Sequence, residues 1–166
     1  MKQLSVLFAA VLLFFATGTV SAQKIATLDV ESVLNAMPEK KAADEKLNAL
    51  QKVKESEIKK QADDLQALVQ KYQGEASKQT EAVNQQREQE VQKKQSDIQQ
   101  MVQLAQKDMA DKSSVEYAPI EKKFNEAVTA VAKAKGYDYI FDSASTALIY
   151  KGGPDATADV KKQLGL

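Results

Sequence analysis

From Glu39 to Tyr117 the chain has no proline and a single glycine, Gly74, while Gln, Lys, Glu, Asp and Ala fill most positions. Such a run cannot enclose a core of its own. Its apolar residues are sparse. Where they recur they alternate between three and four apart: Ile58, Ala62, Leu65, Val69 and Tyr72, then Ile98, Val102, Ala105 and Met109. That spacing draws one narrow apolar seam on a helix, suited to packing against a second helix as in a coiled coil. Lys54, Arg87 and Lys94 interrupt the seam where a tight zipper would carry Leu. A long, weakly apolar helical segment is what any function of this chain has to use.

The segment has one weak point, Gly74 to Gln79. Gly lowers helix propensity, and Ser77 or Thr80 can start a new helix by accepting a backbone N–H bond. Two arms of similar length on either side of this break predict an antiparallel helical hairpin with its tip near 74–79. A single unbroken helix is the competing reading, since one Gly is often tolerated.

The first residues carry Lys2 and then an apolar run from Val6 to Ala16, with small residues at Val20 and Ala22. This is the layout of a cleaved export signal, with the cut between Ala22 and Gln23. Read as a membrane anchor, the run is too short for a hydrocarbon core of roughly 30 Å. The expected location is the periplasm. No Cys occurs, so this exported chain has no disulfides to reinforce a thin core. Assembly with further copies is the expected remedy.

The ends of the exported chain are richer in apolar residues. Lys24 to Val30 reads as a strand, and Glu31 to Asn35 as a helix start that Met37-Pro38 interrupts. Pro119 marks re-entry from the arm, because Pro suits a helix's first turn and not its interior. Ile120, Phe124, Ala127, Val128, Val131 and Ala132 then form a dense stripe, with Gly136 placed as a C-cap. Tyr137 to Asp142 and Ala147 to Tyr150 read as two strands with a turn between them, and Asp155 or Thr157 can cap a last helix carrying Val160 and Leu164. The predicted class is α+β. A small β-rich body, residues 23–38 and 117–166, carries the hairpin arm, residues 39–116, as an insertion. A body of about 65 residues is near the lower limit for an independent core. Its strands are apolar on both faces, so other subunits are expected to cover the second one.

The chemistry of an enzyme is missing. There is no His and no Cys, hence no imidazole base, thiolate nucleophile or mixed Cys/His zinc site. Gly152-Gly153 lacks the spacing and the Lys of a phosphate loop. Ser56-Glu57-Ile58-Lys59 matches S-x-x-K without any companion motif. Asp63-Asp64 and Glu88/Glu90 read as solvated faces, and Asp29 and Asp142 as caps at strand ends. No catalytic residue, metal or cofactor is expected. Lys and Arg total 23, as do Asp and Glu, so the dominant basic surface of a nucleic-acid binder is absent.

The opening KIATLDVESVL, the long polar arms, Ala118-Pro119-Ile120, Gly136-Tyr137 with Ile140-Phe141-Asp142, and the Asp155, Thr157, Val160, Leu164 spacing resemble the Skp (OmpH-like) periplasmic chaperones. The resemblance covers nearly the whole exported chain. It implies a homotrimer whose three arms enclose a cavity and hold unfolded outer-membrane proteins without ATP. It also places Ile25, Leu28, Ile140, Phe141, Leu148 and Tyr150 in the trimeric body. The seam residues Leu65, Val69, Tyr72, Ile98, Val102 and Met109 become candidates to face the client. Two features depart from the family. Ala156 stands where a larger aliphatic residue is common. Residues 74–94 balance Lys78, Arg87, Lys93 and Lys94 against Glu75, Glu81, Glu88 and Glu90, whereas well-known members are strongly basic. Membrane or lipopolysaccharide contact therefore has no support from charge. The rival reading is a structural coiled coil of the envelope that binds no client; it requires an unbroken heptad, which this chain lacks.

Overall fold

The computed structural model describes residues 23–166. The expected export signal, Ala22 included, lies outside the described residues, and Gln23 is exposed at their start. In order come β1 (Ile25–Leu28), α1 (Val30–Ala36), α2 (Pro38–Glu75), a 3-10 turn (Ala76–Lys78), α3 (Glu81–Lys135), β2 (Tyr139–Asp142) and α4 (Thr157–Leu164).

Local chemistry sets most of these boundaries. The Asp29 carboxylate accepts the Ser32 N–H at 2.8 Å and starts α1. Met37, extended ahead of Pro38, ends it, as a residue before proline must leave the helical region. Pro38 occupies the first turn of α2, where its missing N–H costs nothing. At the tip, Thr80 accepts the Val83 N–H at 3.3 Å and starts α3. Gly136, at φ 69°, closes α3 in the left-handed region, which a side chain would strain. Asp155 and Thr157 share the entry to α4: the Asp155 carboxylate accepts the Thr157 N–H at 2.8 Å, and the Thr157 hydroxyl accepts the Asp29 N–H at 2.9 Å.

The α+β class and the antiparallel hairpin agree with the sequence, but two expectations do not. Ala147 to Tyr150 is not a strand, and Tyr139–Asp142 pairs in parallel with β1 instead. Two turns consume the intervening residues: Ser145 N–H bonds Asp142 C=O and Leu148 N–H bonds Ser145 C=O. A β-prone run becomes a strand only beside a partner edge, and no described residue pairs with the outer edge of β2. The second correction concerns Pro119, which lies inside α3 rather than at the start of a new helix. Its ring faces solvent, so the orphaned Val115 carbonyl can be hydrated, and packing on the opposite face carries the helix through.

The core is built where α1, α4 and the end of α3 cover the sheet. Ala26, Leu28, Val33, Ala127, Val131, Ala156 and Val160 form one buried cluster. Met37, Ala43 and Ile120 form a second, and Phe124 and Leu164 pack against both. Ala156 is fully buried. Beyond Leu47 on α2 and before Ile120 on α3, Ala105 alone is buried among the described residues. Burial thins abruptly along the hairpin, as its sparse seam dictates.

Candidate functional site: the helical hairpin and the exposed sheet edge

The 38 residues of α2 extend roughly 57 Å at 1.5 Å per residue. With little apolar burial to hold them, polar pairs set the register against α3. Glu39 pairs with Lys123, Lys46 with Glu116, Lys54 with Asp108, and Glu75 with Arg87. The Tyr72 hydroxyl donates to Glu90 at 2.7 Å. From each pair to the next, the two helices advance by the same number of residues: seven, eight, eighteen and three. The first of these steps crosses Pro119, so the proline adds no residue and no slip. Exposed pairs of this kind are individually weak, each about 0–1 kcal/mol. Repeated at one register, they disfavour every other alignment.

The tip is the best-made part of the arm. The Arg87 guanidinium lies over the Tyr72 ring, 4.4 Å from its centroid, and its Nη2 bonds Glu75 at 2.6 Å. Only 18% of that side chain remains exposed, and Nη1 is buried without an acceptor. Accepting its hydrogen bond raises the Tyr72 pKa, since the Glu90 carboxylate favours the protonated phenol. The Asn84 amide donates to Ala76 C=O at 3.0 Å and closes the turn. Two of the cations that break the apolar seam, Lys54 and Arg87, thus find partners across the hairpin.

The predicted seam residues Leu65, Val69, Tyr72, Ile98, Val102 and Met109 are all half-buried along the hairpin. Each keeps part of its surface in solvent. The more exposed apolar groups are ones that helical spacing did not single out: Leu104 at 66%, Val115 at 69% and Val53 at 52%. Their signal was available in the sequence as apolar residues one position off the seam.

At the other end of the molecule, Leu28 is buried within its own chain and Ile140 packs on the core. Leu148 is half-buried. Ile25, Phe141 and Tyr150 are exposed, as are Tyr139 and the fully exposed Ile149. Tyr139 and Phe141 stack side by side, ring centroids 6.3 Å apart. The Tyr150 ring lies so close to Gly152 that a Cβ there would collide with it. Ile25, Tyr139 and Phe141 thus form an apolar, aromatic patch on the sheet face turned away from Ala26, Leu28 and Ile140; β2 has an unpaired edge, and the other edge of β1 is occupied by Pro154 to Ala156.

A long antiparallel hairpin rooted in a small α+β base, with an uncovered aromatic sheet face, defines the class of protein. The family profile described as Outer membrane protein (OmpH-like) matches residues 24–164, and the chain belongs to that family. Among curated relatives, the chaperone protein Skp of Pectobacterium atrosepticum is 27% identical over 144 residues, 87% of each chain. The chaperone protein Skp of Photorhabdus luminescens is 28% identical over 152 residues, 92% of each. The crystal structure of an OmpH-like protein of Caulobacter crescentus superposes with a TM-score of 0.71 at 16% identity, covering 87% of this chain and 85% of that one. At that identity the likeness speaks for the fold.

Proposed function

We propose that the protein is a periplasmic holding chaperone that acts without nucleotide on unfolded outer-membrane proteins. Residues 23–38 and 117–166 form a homotrimeric body, and residues 39–116 form an arm, so that three arms surround one client. The observation that carries this reading is the hairpin itself. It is long, held in register by polar pairs, and left with partly exposed apolar side chains along its length. Such a surface offers many weak contacts. Unfolded barrel strands present apolar side chains and unpaired backbone, and a holder that releases them unaided has to bind each part weakly. The trimer is supported by the exposed Ile25, Tyr139 and Phe141 on the uncovered sheet face, by the exposed Ile149 and Tyr150, and by the open edge of β2; such patches mark association surfaces. The curated Skp relatives support the chaperone role. The role needs no catalytic group, and the chain is read as a non-enzyme.

Light scattering of an outer-membrane barrel diluted from urea tests the reading. Protection near one trimer per client, unchanged by ATP or a chelator, is the expected result. No protection at several-fold excess would leave the structural coiled coil as the better account.

A further inference from the structure

The two flanks of the hairpin differ in kind. On α3 the residues one position after the seam are Gln92, Gln99, Gln103 and Gln106, all exposed and uncharged. The residues one position before it include Asp97, Met101, Leu104 and Asp108. Successive helical residues lie about 100° apart, so these are opposite sides of one helix. On the second flank two grooves, of about 640 and 280 Å³, run together through their shared Asp97 and Met101. They are walled on the α2 side by Glu57, Gln61 and Leu68. Val53 lies one helical turn before Glu57 on the same stripe, and Val115 three turns beyond Leu104.

The charge of this groove is one-sided. Its walls carry six carboxylates and three ammonium groups. Lys54 and Lys107 are already engaged by Asp108 and Asp111. Glu57, Asp64 and Asp97 have no ion-pair partner among the described residues, and Lys94 is the remaining cation. Apolar contact sites therefore alternate with uncompensated negative charge at helical spacing.

We infer that this flank is the docking surface for client segments, and that it selects extended stretches in which Lys or Arg stands between apolar side chains. The inference rests on the chaperone reading and specifies its partner. An acidic segment would place like charges against Glu57, Asp64 and Asp97, while a basic one gains exposed ion pairs that salt screens. On α3 the Gln flank presents neither charge nor a large apolar group from Gln92 to Gln106; its charges are Glu88 near the tip and, on α2, Glu55 and the mutually paired Lys59 and Asp63.

The test uses the full exported chain and two unstructured synthetic peptides with identical apolar positions, one with Lys between them and the other with Glu. At low salt the Lys peptide should bind about fivefold or more tightly than the Glu peptide. Combining Glu57→Gln, Asp64→Asn and Asp97→Asn should abolish that preference. Adding Gln92→Glu, Gln99→Glu and Gln106→Glu restores the net charge on the wrong flank and should not bring it back. As the chain lacks Cys, a thiol cross-linker on Leu104→Cys should capture the Lys peptide, and one on Gln99→Cys should not. Equal binding of the two peptides, or preference restored from the Gln flank, overturns the inference. So does cross-linking of Leu104→Cys to a second protomer in place of peptide. Barrel protection by light scattering is scored separately. If it fails while the Lys preference and Leu104 capture persist, the chaperone reading falls and the basic-segment docking surface stands.

Discussion

The Tyr117 hydroxyl donates to Asp44 at 2.7 Å, joining α3 to α2 two residues before Pro119. The other Asp44 oxygen accepts Lys40, also at 2.7 Å. Lys46–Glu116 and Glu39–Lys123 flank this bond on the two sides of the proline. The helix is thus tied to its partner where its own hydrogen-bond ladder is broken. Tyr117→Phe should lower stability by about 1 kcal/mol, a partly exposed hydrogen bond to a charge. Amide exchange should rise first around Val115 to Ile120. Unchanged exchange there would show that the bond does not hold the crossing.

The same pair predicts a pH window. Hydrogen bonds from Lys40 and then Tyr117 hold the Asp44 carboxyl below its ordinary range, and the Asp44 carboxylate raises the Tyr117 phenol. A depressed carboxylate contributes stability present above its unfolded pKa and lost as pH falls through the folded one. A raised phenol contributes stability present below its unfolded pKa and lost as pH rises through the folded one. The melting difference between the native chain and Tyr117→Phe should be greatest near neutral pH and shrink at both extremes. A difference constant from acid to alkali would sever it from this pair.

Replacing Pro119 by Ala should stabilise the hairpin, because an interior proline forfeits one backbone bond and Ala restores it. The gain is bounded by the roughly 3 kcal/mol that proline costs in a helix interior. Thermal melts followed at the helical signal measure it. A loss of stability would mean that the proline geometry is itself needed at this point.

At the tip, Arg87→Ala removes the stack on Tyr72 and the bond to Glu75 together. Amide exchange between Val69 and Val91 should accelerate, with little change around Val33 or Val131. Arg87→Lys should rescue only part of the protection, as an ammonium reproduces neither the planar stack nor the guanidinium fork.

Substitutions in the base should be costlier than those on the arm. Met37 is fully buried, and Met37→Ala should cost about 2–5 kcal/mol. Gln92→Asp, on an exposed arm position, should stay within about 0.5 kcal/mol. Phe141→Asp is different in kind, since Phe141 is exposed in the single chain. It should leave the base folded by circular dichroism and shift the mass toward monomer. A trimeric Phe141→Asp variant would remove this face from the proposed assembly.

Much of the molecule was legible from residue order because its determinants are local. Thr80, Gly136 and Asp29 act on backbone groups within four residues of themselves, and the three-four spacing identifies the seam without reference to any partner. The positions that misled are those where distant chain decides. Ala147 to Tyr150 has the composition of a strand but no neighbour within the chain to pair with. Pro119 reads as a helix start, yet Tyr117, Ile120 and Glu116 are held by residues of α2 and the turn before it that lie seventy or more positions away. Lys40–Asp44 could be read as a one-turn ion pair; that Tyr117 would join it could not.

By itself, residue order determined that this protein has a long helical hairpin with a thin seam and capped ends, and that it carries no His or Cys. Those properties follow from spacing, propensity and the presence or absence of side-chain types. Only the tertiary structure decided that β1 and β2 run parallel, that α3 passes unbroken through Pro119, and that Glu57 and Asp64 of α2 share a groove with Asp97 and Asp108 of α3. Each of these depends on which residues of α2, or of the opposite chain end, lie across from which. That pairing is a sum of many weak contacts, and it exists only once the chain has folded back on itself.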